Sequence, residues 1–216
     1  MILHTAPQGS PEWHQARAGC ITGSMFVTAR QRLKSGPSKG DYTTAAKEYA
    51  FRLAIERISG QPLDEGFETW AMKRGHEMEP AARAEHEVAI GVLVQPVGFV
   101  TTDDGKFGAS ADGFIGTDGG AEYKCLVSPE RLRSVILTGD LSEFTDQMQG
   151  GMWITGRKWW DFGLYCPALA PIGRQFTHYR MMRDDNYIDA LELDLIAFER
   201  LVSENEAALR NFKEAA

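Results

Sequence analysis

The feature that most constrains the fold of this chain is a predicted β-hairpin that carries two carboxylates and a lysine. Two short apolar runs flank a glycine-rich turn, and the three segments are Phe114–Ile115, Gly116–Gly120 and Ala121–Leu126. Because side chains alternate along a strand, Glu122 and Lys124 project from the same face, about 6–7 Å apart. Asp112 lies at the start of the first strand and can reach that face.

The chemistry of these three side chains indicates metal-assisted phosphodiester hydrolysis. Mg²⁺ takes oxygen ligands and keeps several waters, so two carboxylates at one end of a hairpin suit it. A lysine beside them can polarise or deprotonate a metal-bound water. The alternative is chance, since the same spacing recurs in Asp104-Gly105-Lys106, which we interpret as a solvated hairpin turn. The apolar setting of Glu122 and Lys124 favours the functional interpretation.

Length and composition favour one globular domain spanning residues 1–216. No apolar run is long enough to span a bilayer, so we expect no membrane partner. The first residues have neither the basic start nor the long apolar core of a signal peptide. The cysteines are widely spaced, which favours reduced thiols in a cytoplasmic protein and argues against a zinc site: Cys20, Cys125 and Cys166.

The distribution of charge is more informative than its sum. The net charge is −7, which by itself argues against binding to phosphate. Residues 1–60, however, carry eight Lys or Arg against four Asp or Glu, whereas residues 61–216 carry 15 against 26. Residues 1–60 could therefore bind a polyanion while the acidic remainder of the chain keeps the protein in solution. Ordinary surface heterogeneity is the alternative.

The order of the predicted elements indicates an α/β fold. Helices are predicted to begin near Ser10, Thr22, Asp41 and Glu68, and the second and fourth end near Leu33 and Ile90. Two strands then precede the hairpin, at Val97–Thr101 and Lys106–Ala109. The remaining predicted elements are Pro129–Leu137, Glu143–Thr155, Trp159–Cys166, Gln175–Met182 and a terminal helix from Asp184 to Phe212. Helices and strands in this order make an α/β sandwich.

Two helices offer further polar side chains for the site. Glu79 lies on the fourth helix, where a third carboxylate could complete a metal shell; the neighbouring Glu77 is better explained as part of an exposed acidic turn. Gln147 and Gln149 lie on a helix after the hairpin and could hydrogen-bond a scissile phosphate or a metal-bound water. On spacing alone both glutamines would be unremarkable.

A stretch near the N-terminus suggests a pocket for a terminal phosphate. Arg17 offers a planar fork for two parallel hydrogen bonds to phosphate. Ser24 is predicted in the first turn of the next helix, where unpaired N–H groups and the helix dipole attract anions. Trp13 belongs to the same stretch and is a further candidate for contact with DNA. The alternative is an arginine salt bridge beside a helix cap.

Five short blocks occur in order between residues 13 and 156. They are Trp13-His14-x-x-Arg17-x-Gly19-x-Ile21-Thr22-x-Ser24, Gly75-His76-x-x-Glu79-Pro80, Ser110-x-Asp112-Gly113, Glu122-x-Lys124-Cys125 and Gln147-x-Gln149-x-x-Met152-Trp153-x-Thr155-Gly156. Any one block is weak, but the ordered set is specific. Together they resemble the lambda exonuclease family, also called YqaJ-like viral recombinases, within the restriction-endonuclease-like nucleases. Ala111 departs from the proline that the family often has there, a position without chemistry.

The resemblance implies both a fold and an activity. The fold is a restriction-endonuclease-like α/β core, with a central mixed β-sheet flanked by helices. The activity is that of a Mg²⁺-dependent exonuclease that digests one strand of double-stranded DNA from its 5′ end and leaves a 3′ overhang. It implies two Mg²⁺ ions, with Mn²⁺ as a substitute. Its implied partners are double-stranded DNA ends, a homotrimeric ring of this chain and a single-strand annealing protein in phage or prophage recombination in a bacterial host.

The resemblance also implies roles for individual residues. Asp112 and Glu122 bind metal, and Lys124 activates the nucleophilic water. Glu79 holds the side of the second metal, and Gln149, or else Gln147, supports the site. The implied ligands of the 5′ phosphate are Arg17, Ser24 and Ser110.

Two other functions remain open from the sequence. One is an endonuclease of the same core fold, of the repair or restriction type, which would keep the metal residues without needing a terminal-phosphate pocket. The other is a non-catalytic DNA-binding module on a decayed nuclease fold, against which the intact Asp112, Glu122 and Lys124 argue.

Overall fold

The structure is a computed structural model, and it describes residues 1–63 and 70–212. These residues group into two compact units. The described residues of the first unit fall within Met1–Asp64, Gly98–Ser110 and Asp184–Ala216, and those of the second within Glu65–Val97 and Ala111–Arg183. The start of the fourth helix predicted at Glu68 lies outside the described residues.

The first unit is a four-stranded mixed sheet covered by helices. The sheet order is β1-β3-β4-β2, in which β2 runs parallel to β4 and the other pairs are antiparallel. Gly105, at a φ of +70°, makes the turn between β3 and β4, as the Asp-Gly pair predicts. The elements are β1 (Ile2–His4), α1 (Pro11–Arg17), β2 (Ile21–Thr22), α2 (Phe26–Arg30), α3 (Thr44–Ser59), β3 (Phe99–Thr101), β4 (Phe107–Ser110) and α7 (Asp185–Arg210).

The packing of α7 against α2 and α3 forms much of the core of the first unit. The side chain of Asp184 caps α7 by accepting a hydrogen bond from the amide of Tyr187. Fully buried apolar residues then recur at intervals of three and four, which puts them on one helical face: Ile188, Leu191, Leu195, Phe198 and Val202. On α3, Tyr49 stacks on Phe198 with ring centroids 5.5 Å apart.

The second unit is another four-stranded mixed sheet, with the order β5-β6-β7-β8. Here β6 and β7 are parallel, whereas the outer pairs are antiparallel. Helix α4 packs on β6, β7 and β8, and α6 packs on β6 and β7. The elements are α4 (Trp70–Ile90), β5 (Gly113–Ile115), β6 (Gly119–Lys124), α5 (Pro129–Arg133) followed by a π-helical turn (Ser134–Thr138), α6 (Thr145–Thr155), β7 (Trp159–Tyr165) and β8 (Phe176–Met182).

The glycines of the hairpin have two separate structural roles, one in the turn and one in close packing. Gly116, with a φ of +54°, makes the turn. Gly120 lies within β6, where a Cβ would overlap the ring of Trp160 on the neighbouring strand β7. Gly151 of α6 approaches the same ring from its own helix, and a Cβ there would lie 2.8 Å from it. The observed turn is therefore shorter than the predicted five-residue turn, because Gly120 belongs to β6 and leaves room for the ring of Trp160.

The α/β class, with mixed sheets flanked by helices, is confirmed. The strands form two four-stranded sheets, and β1 is an element that the sequence did not predict. The helix predicted from Thr22 to Leu33 is wrong: Thr22 ends β2, Gly23–Met25 is a 3₁₀ turn, and α2 ends at Arg30. The single-domain organisation stays a prediction. Among the described residues, no helix has the length and apolar character to cross a bilayer.

Candidate active site

The β5–β6 hairpin places its polar residues as the sequence predicts. Asp112 directly precedes β5, and its amide donates to the carbonyl of Ala121 on β6 at 3.0 Å. Oδ2 of Asp112 accepts a hydrogen bond from the amide of Tyr123 at 2.5 Å. The pairing of the hairpin therefore fixes both the main chain and the carboxylate of Asp112 beside the Glu122–Lys124 segment.

Glu122 is the buried centre of the site, with 3% of its surface exposed. Its Oε1 accepts hydrogen bonds from Nζ of Lys124 at 2.6 Å and from Nε2 of Gln147 at 2.7 Å. Lys124 lies two residues along the same face of β6, and Gln147 reaches the carboxylate from α6. A carboxylate this buried needs such partners, since an unpaired buried charge is costly.

Helix α4 contributes Glu79 and a basic residue that sequence reasoning missed. Glu79 forms an ion pair with Nη2 of Arg83, one turn further along the helix. The same nitrogen donates to the main-chain carbonyl of Asp112 at 3.1 Å. Arg83 thus joins Glu79 to the start of the hairpin. The spacing of four residues between Glu79 and Arg83 is the sequence signal that could have identified it.

The electrostatics of the site show an excess of carboxylate. Burial raises the pKa of Asp112 well above its usual range, and the carboxylates of Glu122 and Glu79 raise it further. Burial also raises the pKa of Glu79, an effect that Arg83 opposes and Glu122 reinforces. Burial alone would lower the pKa of Lys124, but Glu122 and Asp112 outweigh it and raise that pKa. Lys124 is therefore an ammonium ion in this arrangement.

These side chains fit a magnesium ion in their chemistry, although they do not form a closed cage. Across residues 1–63 and 70–212, no group of three or more His, Cys, Asp or Glu side chains is arranged so that it could hold a metal ion. Mg²⁺, however, is usually bound by one or two carboxylates, with waters and phosphate oxygens as its other ligands. A cation would also relieve the like charges that raise the pKa of Asp112.

In the first unit, the structure brings Arg17, Ser110 and Trp13 together. Nη1 of Arg17 donates to Oγ of Ser110 at 2.9 Å. The guanidinium lies over the indole of Trp13, with Cζ 4.1 Å from the ring centroid, and 5.4 Å from that of Phe99. Arg17 ends α1 and Ser110 ends β4, so the two are neighbours through the tertiary fold. Ser110 also precedes Asp112 by only two residues in the chain.

Ser24 is placed differently from the expectation, whereas Gln149 contacts the main chain of β8. Ser24 is exposed, in the 3₁₀ turn Gly23–Met25, and α2 behind it has only five residues. The strong helix dipole expected there is therefore missing, because the dipole sums over aligned peptide units. Gln149 is buried, and its amide donates to the carbonyl of Met182 on β8 at 3.0 Å. Gln147 hydrogen-bonds the carboxylate of Glu122.

Comparison with known protein families gives one match that covers more than half of the chain. The family model of the YqaJ-like viral recombinase domain matches residues 12–158. This range contains all five ordered sequence blocks, together with the hairpin, α4 and α6. No curated protein matches the chain.

Similar solved structures include two of LHK-Exo, an alkaline exonuclease from Laribacter hongkongensis, one of them in complex with dAMP. Both are 31% identical to this chain and cover 93% of it and 97% of their own chain, with TM-scores of 0.77 and, for the dAMP complex, 0.80. A phage related exonuclease from Haemophilus somnus 129PT is 17% identical, with a TM-score of 0.67 over 88% of this chain and 96% of its own. At that identity the likeness concerns the fold alone.

Proposed function

The chain belongs to the YqaJ-like viral recombinase family, and from this premise we propose that it is a Mg²⁺-dependent exonuclease. In this proposal it digests one strand of double-stranded DNA from the 5′ end and leaves a 3′ single-stranded overhang. The observation that carries the proposal is the buried Glu122 carboxylate, paired with Lys124 and next to Asp112 on one hairpin. The similarity to an alkaline exonuclease over nearly the whole chain supports the same activity.

The residues proposed to hold metal are Asp112, Glu122 and, on the side of a second ion, Glu79. Two Mg²⁺ ions, when bound, supply Lewis-acid polarisation of the scissile phosphate and a more acidic water, and Mn²⁺ is the proposed substitute. Arg83 holds Glu79 in place, and the amide of Tyr123 holds Asp112. The protein's own contribution is thus to keep negative charge oriented at one end of the hairpin.

Lys124 acts in this proposal as a cation. Because its pKa is raised by Glu122 and Asp112, its ammonium group can orient the attacking water and offset the negative charge that develops on the phosphate. Gln147 takes the supporting role, because it donates to the same carboxylate oxygen of Glu122. Gln149 anchors α6 to β8 through the carbonyl of Met182.

The proposed ligands of the 5′ phosphate are Arg17 and Ser110, with Trp13 as a stacking platform. Arg17 suits a phosphate because its donors form a planar fork. Ser24 is an exposed hydroxyl in the same unit and is the fourth proposed contact. The 3′ overhang would then be the substrate of a single-strand annealing protein in phage-type recombination. We place this activity in the bacterial cytoplasm and assign it to a homotrimer.

The deciding experiment is digestion of linear duplexes labelled at the 5′ or the 3′ end, with Mg²⁺ and with a chelator. The proposal expects early release of the 5′ label as nucleotides, late loss of the 3′ label, and no digestion in the chelator. Covalently closed circular DNA is the control, and it should stay intact. Cutting of the circle would favour an endonuclease, and binding without any digestion would favour a non-catalytic module.

A further inference from the structure

A polar network with a buried centre lies on the face of β6 opposite Glu122 and Lys124. His86 of α4 and Asp161 of β7 each have 0% of their surface exposed. Nδ1 of His86 lies 3.0 Å from the hydroxyl of Tyr123, and Nε2 lies 3.2 Å from Oδ2 of Asp161. The two nitrogens of one ring thus connect three elements of the second unit.

Asp161 is the charged member of this network. Arg180 of β8 donates two hydrogen bonds of 2.8 Å, one to each oxygen of Asp161. Burial opposes ionisation, but the bonds from Arg180 outweigh it and hold the pKa of Asp161 below its usual range. The 3.2 Å contact between Nε2 of His86 and Oδ2 of Asp161 is electrostatic, because it lacks the geometry of a hydrogen bond. Nδ1 of His86 makes the hydrogen bond of the ring, with the hydroxyl of Tyr123.

Tyr123 links this network to the candidate site. Its side chain contacts His86, while its main-chain amide donates to Oδ2 of Asp112 at 2.5 Å. Its neighbours in the sequence are Glu122 and Lys124. A displacement of Tyr123 would therefore move the amide that hydrogen-bonds Asp112, and it would shift Glu122 and Lys124 on β6.

The same face of α4 bears Glu79, seven residues before His86, and Arg83 between them. Residues seven apart lie on one face of a helix, two turns from each other. Arg83 contacts the carbonyl of Asp112, and His86 contacts Tyr123. The helix that carries Glu79 is thus joined at two points to the hairpin that carries Asp112 and Glu122.

We propose that His86 is a positioning residue: by holding Tyr123 against α4, it fixes where Asp112, Glu122 and Lys124 lie relative to Glu79. The inference rests on the nuclease function proposed above. Buried polar groups cost desolvation that apolar residues would avoid, and their directional bonds specify one arrangement of the elements. A packing role alone would be met by a leucine or a phenylalanine.

The test uses Tyr123→Phe, which removes one oxygen, and Tyr179→Phe as the matched control. Tyr179 of β8 donates to the carbonyl of Val135 at 2.9 Å, so the control also loses one hydrogen bond in the same unit. Metal affinity is measured by calorimetry with Mg²⁺ on the DNA-free protein, and kcat and KM on labelled duplex. For Tyr123→Phe we expect losses of about tenfold in Mg²⁺ affinity and in kcat, with KM for DNA unchanged.

The control separates positioning from general stability. Both variants should lose similar thermal stability, but Tyr179→Phe should stay near wild type in Mg²⁺ affinity and kcat. Equal values for the two variants would overturn the positioning role while leaving the nuclease function intact. A wild-type protein that neither binds Mg²⁺ nor digests DNA would overturn both proposals.

His86 itself provides a rescue experiment. In His86→Asn the shorter amide can still offer a hydrogen-bonding group near the position of Nδ1, whereas His86→Leu offers none. We expect the asparagine variant to recover most of the Mg²⁺ affinity that the leucine variant loses. A leucine variant with wild-type Mg²⁺ affinity and kcat would contradict the proposal. If the leucine variant does not fold, the comparison of Tyr123→Phe with Tyr179→Phe decides the question.

Discussion

Nζ of Lys124 donates a 2.6 Å hydrogen bond to Oε1 of Glu122, two residues before it on the same face of β6. The pair is largely buried, with 27% of the lysine side chain and 5% of the glutamate side chain exposed. Such a pair differs from a surface salt bridge, because each charge stabilises the other where water is scarce. It also places a fixed positive charge beside the carboxylate that we propose as a metal ligand.

Removal of the Lys124 ammonium should affect turnover more than binding. We expect Lys124→Ala to lower kcat by about 10²–10³-fold, which is typical for the loss of one preorganised charge or donor in an active site. Lys158→Ala is the matched control, because Lys158 pairs with Asp118 at 3.0 Å in an exposed position. The measurement is single-turnover digestion of a labelled duplex. Similar losses in the two variants would remove Lys124 from the proposed mechanism.

The metal-free protein should become more stable when Asp112 loses its charge. A raised pKa contributes stability that is complete below the unfolded pKa and is lost as the pH rises through the folded pKa. Asp112→Asn should therefore raise the melting temperature at pH ~7 in a chelator by about 2 °C or more, corresponding to roughly 1 kcal/mol. The gain should shrink as the pH falls through ~4, because Asp112 then becomes increasingly protonated in the unfolded state as well. The same variant should not digest DNA.

The control for that prediction is Asp140→Asn. Hydrogen bonds from Ser142 hold the pKa of the exposed Asp140 below its usual range. The ionised form of Asp140 therefore favours the folded state, whereas that of Asp112 opposes it. Differential scanning fluorimetry across the pH range should show no gain for Asp140→Asn. If wild type and Asp112→Asn are equally stable at neutral pH in the chelator, the negative charge of Asp112 does not destabilise the folded protein, and the proposed repulsion from Glu122 and Glu79 is wrong.

A terminal phosphate should accelerate digestion through Arg17. Charge-assisted hydrogen bonds are worth about 1.5–3 kcal/mol, so a 5′-phosphorylated duplex should be degraded roughly tenfold faster than a 5′-hydroxyl duplex. Arg17→Ala should erase most of this difference. Arg210→Ala is the control, since Arg210 pairs with Glu206 on the exposed side of α7. An enzyme indifferent to the 5′ phosphate would remove the reason for assigning Arg17 to the DNA end.

Glu199 should stabilise the protein at neutral pH and lose this contribution at acidic pH. This largely buried residue accepts hydrogen bonds from Arg57 at 2.9 and 2.7 Å and pairs with Lys106 at 3.2 Å. Burial opposes its ionisation, but these cations outweigh burial and lower its pKa. A lowered pKa contributes stability that is present above the unfolded pKa and is lost as the pH falls through the folded one.

The corresponding variant is Glu199→Gln, studied by urea unfolding. At pH ~7 we expect it to be destabilised by about 1–3 kcal/mol, because it loses a charge that two cations surround. The difference from wild type should narrow progressively below pH ~4.3. Glu206→Gln, on an exposed pair, should change little at any pH. A destabilisation independent of pH would mean that shape rather than charge is what Glu199 provides.

The proposed homotrimer predicts a particle of about 72 kDa, three times the mass of 24.0 kDa. A net charge of −7 opposes binding of an isolated subunit to DNA. A ring would gather the basic residues of the first quarter of each chain around one duplex. Light scattering and competitor challenge measure the two consequences, mass and continued digestion on DNA already engaged. The ring would be excluded if the protein is a monomer at micromolar concentration and competitor DNA stops its digestion at once.

The sequence by itself predicted local patterns and the family. The two apolar runs around the glycine-rich turn at Gly116–Gly120 predicted the hairpin, because strand alternation and glycine turns are local properties. The ordered blocks predicted the YqaJ-like family, the α/β class and a nuclease-type enzyme, and these are confirmed. The roles of the individual site residues stay predictions.

Only the tertiary structure determined which side chains from different elements contact one another. Arg17 contacts Ser110 across 93 residues of sequence, and Gln147 contacts Glu122 across 25. No local sequence pattern pairs His86 with Asp161, and only the tertiary fold brings both into the network with Tyr123. The physical reason is that hydrogen bonds and ion pairs between elements depend on packing, which short-range periodicity does not encode.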